Sequence, residues 1–183
     1  TTRADNGNVT IIEDIEFSGN IVRGTGGGMN ILGSEGSGGH RLTIRNNIFD
    51  DIDGQKWGGG GHFMKVTDWD GMVIENNTVR QKNNITVAYG EPIKGFVFRN
   101  NIIYENEYGF FGDGTGVGQP AIDRFFPGGK ITGNLIIGGI KDRYREANTF
   151  PPSIEAVGFI NAATGDLGLR PDSRYLKSGA DGS

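Results

Sequence analysis

Leu42-Thr-Ile-Arg-Asn-Asn47-Ile-Phe49 is the stretch on which the fold turns. Apolar and polar residues alternate ahead of an Asn-Asn pair, and apolar residues resume directly behind it. The same unit reads Ile15-Glu-Phe-Ser-Gly-Asn20-Ile-Val22, Met72-Val-Ile-Glu-Asn-Asn77-Thr-Val79 and Phe96-Val-Phe-Arg-Asn-Asn101-Ile-Ile103, and in weaker form Ile131-Thr-Gly-Asn134-Leu-Ile136. The second asparagines lie 27, 30, 24 and 33 residues apart, by subtraction of their numbers. That period is too short for two helices per repeat and suits a coil of short strands. Period-2 alternation marks a strand on each side of the pair, and Asn or Gly at the pair marks a tight bend. Ile44, Ile74 and Phe98 should point inward, and Arg45, Glu75 and Arg99 outward.

A third strand is expected in each repeat, at Met29–Gly33, His62–Thr67, Ile85–Tyr89 and Tyr108–Gly112. The variable loops Gly24–Gly28, Asp50–Gly61 and Gln81–Asn84 lie just before it. Three strands per turn make an all-β, right-handed parallel β-helix of about five rungs, spaced about 4.8 Å. No helical pattern of length competes with this reading. Repeat rungs are expected over 9–140 and an irregular C-terminal cap over 141–183, where Phe150-Pro-Pro152 excludes a central strand. The chain opens at Thr1 without an initiator methionine, which reads as a fragment of a longer chain. Little capping sequence precedes Phe17, so an N-terminal neighbouring domain or end-to-end self-association is expected there.

Composition agrees with this reading and excludes others. Glycine accounts for 33 of 183 residues, about 18% against an ordinary 7% or so, yet without the triplet period and proline of collagen. Hydrophobic residues make up 35% and the net charge is only −4, which argues against disorder. No run is long enough for a membrane helix. The absence of cysteine excludes disulfides and thiol chemistry, and a pI near 5.2 argues against nucleic acid as partner.

The repeat units, the segment Tyr108-Gly-Phe-Phe-Gly-Asp-Gly-Thr-Gly-Val-Gly118, and the tail Val157-Gly-Phe-Ile160 with Gly165-Asp-Leu-Gly-Leu-Arg-Pro-Asp-Ser173 resemble secreted bacterial right-handed β-helix repeat proteins of the pectate-lyase-like superfamily. The resemblance covers roughly residues 9 to 183. It implies an extracellular or cell-surface protein and a structural ladder of stacked amides at Asn20, Asn47, Asn77, Asn101 and Asn134. The superfamily includes polysaccharide lyases and hydrolases, carbohydrate-binding modules and phage tailspikes, and fold alone does not choose among them.

The glycine runs at Gly24–Gly28, Gly36–Gly39 and Gly58–Gly61 lack the Gly-Lys-Ser/Thr ending of a phosphate loop. They read as corners and close-lying loops. Sequons at Asn8, Asn76 and Asn84 carry no weight in a bacterial protein. Asp51, Asp53, Asp68 and Asp70 offer oxygen ligands at alternate positions, which makes calcium the candidate cation. They also lack the remaining pattern of a helix-loop-helix calcium loop, and Asp-x-Asp-Gly is a good turn.

Resembling lyases use a Lys or Arg base, and here Lys65, expected to point outward, and His62 are the candidates. Asp113 is the acid nearest the third strand, without the paired-aspartate motif of the hydrolases. No Gly-x-Ser-x-Gly is present. For ligand binding the candidates are Trp57, Phe63, Lys65, Trp69 and Phe111, because sugar rings stack on exposed aromatic faces; the competing reading has these rings packing loops to the wall. The leading expectation is a module that binds polysaccharide, ahead of a polysaccharide lyase acting by Lys-based β-elimination on uronates. A structural module of a surface or self-associating protein is the third reading.

Overall fold

The computed structural model describes residues 11–33 and 38–179. The first residues, the Asn8 sequon and part of the Gly36–Gly39 loop lie outside them. The chain visits three parallel sheets in fixed rotation. First come β1 (Ile12–Ser18), β2 (Ile21–Thr25) and β3 (Met29–Leu32), then β4 (Gly39–Arg45), β5 (Ile48–Ile52), the short helix α1 (Gly54–Trp57) and β6 (Met64–Thr67). A third passage holds β7 (Trp69–Glu75), β8 (Thr78–Gln81) and β9 (Thr86–Ala88). A fourth holds β10 (Val97–Arg99), β11 (Ile102–Tyr104) and β12 (Phe110–Gly112). Helix α2 (Gln119–Phe125) follows, then β13 (Lys130–Thr132) and β14 (Leu135–Ile137). Sheet orders are β1-β4-β7-β10-β13, β2-β5-β8-β11-β14 and β3-β6-β9-β12. The path fits a β-helix-like solenoid, with the third sheet one strand shorter than the others.

Register turns the period-2 pattern into stacks. Phe17, Ile44, Ile74, Phe98 and Ile131 are aligned across the first sheet. Val22, Phe49, Val79, Ile103 and Ile136 are aligned across the second, and Met29, Met64, Thr86 and Phe110 across the third. These rows converge on one core, the dominant favourable term for a chain of this kind. Outward positions of the first sheet carry the expected charges, with Arg45 on Glu16 at 2.8 Å and Arg99 on Glu75 at 2.6 Å.

The Asn-Asn pair divides its labour. Its first residue takes the left-handed backbone, with φ of 55° at Asn46, 54° at Asn76 and 56° at Asn100, and glycine doing the same at Gly19 and Gly133. Asparagine is the side-chain-bearing residue that tolerates this region best. The second residue turns its amide along the stack. Asn20 donates to Asn47 (3.1 Å), Asn47 to Asn77 (2.9 Å), Asn77 to Asn101 (3.0 Å) and Asn101 to Asn134 (3.0 Å). A sixth member, Asn148, accepts from Asn134 at 2.9 Å.

Asn148 comes only 14 residues after Asn134, half a repeat. The chain reaches it by leaving the third sheet out, so Ala147 and Thr149 accept from Gly133 and Ile136 as one more strand-like layer. Tyr144 and Phe150 then close that end of the core. Helix α2 closes it beside β12. Pro120 sits in its first turn, where a missing N–H costs nothing, and Ala121, Ile122 and Phe125 are its buried face. Phe126 stacks on Phe96 with centroids 4.1 Å apart.

The last segment does not sit over the end of the coil. Helix α3 (Ile154–Val157) and the antiparallel pair β15 (Phe159–Asn161) and β16 (Asp166–Leu169) lie along the outer side of the second sheet. Val157, Phe159, Leu167 and Tyr175 form a second core there with Leu135 and Ile137, against which Ile48, Ile102 and Tyr104 pack. The reason is the outward row of the second sheet, Ile21, Ile48, Thr78, Ile102 and Leu135, which is apolar where the first sheet is charged. Capping thus falls to residues 141–151 and α2, and the tail is a side cover. Among the described residues no helix is long and apolar enough to cross a membrane.

Close packing makes Gly39, among other glycines, costly to replace. A Cβ at Gly39 would lie 2.2 Å from the Trp69 ring, its register partner on β7. Gly39→Ala is expected to cost about 1–3 kcal/mol as overpacking and to lower the thermal midpoint by roughly 3–10 °C, read by calorimetry.

Candidate functional site

Of the five ligand-binding candidates, the structure brings Lys65 and Phe111 onto one surface. Asn30, Lys65, Val87 and Phe111 are aligned across the outer face of the third sheet. Lys65 is exposed and its ammonium lies over the Tyr89 ring, 5.3 Å from the centroid, a cation–π arrangement. Tyr108, 37% exposed, lies 5.7 Å from Phe111 at a tilt of 34°. Basic and aromatic groups therefore run along this wall. Beside Lys65 is a groove of about 430 Å³ between the Gly26–Gly28 and Gly58–Gly60 loops, with His62 and Asn30 in its lining. Burial, and then the nearby Lys65 ammonium, hold the His62 imidazole below its ordinary pKa, so it is neutral at pH 7 and its Nδ1 is buried without a hydrogen-bond partner.

The other aromatic candidates are corrected by their burial. Phe63 is fully buried and meets Phe49 edge-on at 5.0 Å. Its outward orientation followed from extending the Lys65 alternation back by two residues, but the strand begins only at Met64. Trp69 is 7% exposed. Asp68, at φ 49°, makes a corner between β6 and β7, so parity does not carry across it and the indole turns inward beneath Gly39. Trp57 is exposed, yet its ring is flanked by Gly24 and by the Lys56 ammonium at 4.6 Å. Its indole N–H donates to Asp51 at 3.1 Å. It fastens the α1 loop to β2 and belongs to no aromatic row.

The acidic candidates are dispersed, each with local work. Asp53 caps α1, accepting from the Gln55 and Lys56 amides. Asp51 holds Lys56 at 2.6 Å. Asp68 accepts from the Thr67 hydroxyl and the Glu91 amide, and Asp70 from the Lys94 amide. Among the described residues no three metal-ligating side chains converge, so these four do not form the calcium cage that their spacing allows. Asp113 is exposed one residue beyond the Val66–Ala88–Gly112 register, just past β12, whereas Asp68 lies just past β6 two passages earlier, so the two carboxylates belong to different turns.

Sequence reasoning missed a second charged cluster, on the outer face of the second sheet. Asp50, 3% exposed at its side chain, is held by Arg23 at 2.9 Å and by Arg80 at 2.5 Å. The readable signal was the repeat itself, since Arg23 and Asp50 are register partners and Arg80 follows the same bend one repeat on. No family model, curated protein or solved structure matches the chain.

Proposed function

We propose that the protein is a carbohydrate-binding module of a secreted, right-handed β-helix protein of the pectate-lyase-like kind, and that the outer face of its third sheet takes a polysaccharide. Handedness rests on the rule that crossovers between parallel strands of one sheet are almost always right-handed. The observation that carries the binding reading is the register-aligned row of Lys65, Val87 and Phe111 flanked by Tyr89 and Tyr108. Such a row offers ring faces for apolar sugar faces and a cation for an anionic substituent. Its repeat along a flat wall matches the repeat of a polymer better than a single closed pocket would.

Affinity electrophoresis against plant, algal and bacterial polysaccharides tests this reading. Phe111→Ala and Lys65→Ala are each expected to weaken retardation about tenfold, the scale of one stacking or charge-assisted contact, with unchanged thermal midpoints. Migration unaffected by every polymer overturns it. The same samples, followed for the ultraviolet absorbance of an unsaturated uronate end, separate binding from β-elimination: product that forms and disappears with Lys65→Ala makes the protein a lyase.

A further inference from the structure

The cluster on the second sheet lies in a cleft of about 490 Å³ whose far wall is the 163–165 turn of the C-terminal cover. Arg23 and Arg80 fix that wall as well as Asp50, donating to the carbonyls of Gly165 and Ala162. Lys82, which is exposed, and Tyr104, which is half-buried, complete the lining with Gln81. The volume falls in the range of small-molecule sites.

Charge in the cleft runs against that of the whole chain. Asp50 neutralises one of the two guanidiniums, and Asp51 is occupied by Lys56. Two positive charges are left over, one from the Arg23–Asp50–Arg80 triad and one from Lys82, in a protein of net charge −4. The triad does not exhaust Arg23, whose side chain is 49% exposed. No partner fills the Lys82 ammonium or the Tyr104 hydroxyl among the described residues. Gln81 is 2% exposed and gives its amide N–H to the Tyr104 carbonyl, while its Oε1 has no partner. Two exposed cations and a phenol with an unpaired hydroxyl line one cleft, and together they ask for a molecule bearing an anionic group and several hydroxyls. The Gln81 Oε1 is turned inward with Val79 and Ile52 and takes no part.

We propose that this cleft binds an anionic sugar unit, with Lys82 and Arg23 on the anionic group and the Tyr104 ring and hydroxyl against the sugar ring. The site is separate from the third-sheet wall and does not rest on it. It is built jointly by the repeats and the tail, so the cover that shields Ile48 and Ile102 also completes a pocket.

Nuclear magnetic resonance titration of the full chain with galacturonate, a glucose sulfate, glucose and inorganic sulfate tests the assignment. Amide shifts are expected at residues 80–82, 104–106 and 163–165 for both charged sugars, while glucose and sulfate alone bind at least about tenfold more weakly. Lys82→Glu is expected to weaken the charged sugars about tenfold or more and to leave the wild-type thermal midpoint in place. Tyr104→Phe serves as the milder second variant. Equal shifts from inorganic sulfate, shifts confined to Lys65 and Phe111, no shifts at all, or an unaltered Lys82→Glu each overturn the proposal, and Lys65→Ala, which tests the other wall, should leave these shifts in place.

Discussion

Asn77→Ala is expected to remove about 4 kcal/mol or more of folding stability, a large share of the 5–15 kcal/mol typical of a domain. Asn77 is 1% exposed. Its amide donates to Asn101 Oδ1 and to the Ile44 and Glu75 carbonyls, at 2.9–3.0 Å. Its Oδ1 accepts from both the backbone N–H and the side-chain amide of Asn47, at 3.0 and 2.9 Å. Truncation strands the Asn47 donors and deprives the Ile44 carbonyl of this partner in a place water does not reach. Each stranded buried group costs about 1–3 kcal/mol, and a cavity adds to that. Asn20→Ala is the control. It sits at the half-exposed end of the ladder, donates to Asn47 and Ser18, and leaves its backbone N–H on Asn47 Oδ1. Its expected cost is below about 1 kcal/mol. Urea unfolding of the two variants side by side decides: equal midpoints would show that the ladder is not a buried network.

That contrast marks where the sequence was readable. A buried amide stack needs one residue type at one bend, so it left a periodic trace at Asn20, Asn47, Asn77, Asn101 and Asn134. Strand parity was equally legible wherever alternation ran unbroken, as at Lys65 between Met64 and Val66. It failed at Phe63, because the strand starts only at Met64. Trp69, expected as an exposed ring, turns inward past a corner at Asp68, and single residues in left-handed backbone are not announced by composition. Helix α2 was hidden by its surroundings. Gly118-Gln-Pro120 is a good helix start, and Ala121, Ile122, Phe125 and Phe126 have helical spacing, but seven residues are too few to stand out from a repeat. Asn148 escaped because the fifth passage takes a half-length route. The tail's position was written in the apolar outward row of the second sheet, which a coil open to water on that side would not carry. The charged cleft depends on which two turns meet across 82 residues, from Arg80 to Ala162, and no local pattern encodes that distance.

Arg143→Met is the second large effect, and its size should depend on pH. Glu105 is fully buried at the end of β11. Its Oε1 accepts from Arg143 at 2.8 Å and its Oε2 from the Ile140 amide at 2.6 Å. Burial pushes the Glu105 carboxyl above the ordinary 4.5, outweighing the pull of those two donors in the other direction. The unpartnered Tyr144 hydroxyl nearby is pushed up too, by burial and then by Glu105. A folded-state pKa above the unfolded value means that the folded form holds its proton more tightly. The associated stability is present in full below about pH 4.5 and is lost as pH rises through the folded-state pKa. Removing Arg143 takes away the cation paired with Glu105 and leaves the ionised form with only the Ile140 amide, at an expected cost of about 3–5 kcal/mol near pH 7. Protonation relieves that cost, so Arg143→Met should unfold more readily at pH 7.5 than at pH 5, with a steeper difference than wild type. The double variant Arg143→Met, Glu105→Gln removes the titrating group, and its pH slope across this window should flatten while part of the loss at pH 7.5 returns. Denaturation at five pH values between 4.5 and 8 measures all three. A pH-independent loss in Arg143→Met would show that the arginine acts through its packing and its bond to the Glu107 carbonyl rather than through the buried charge.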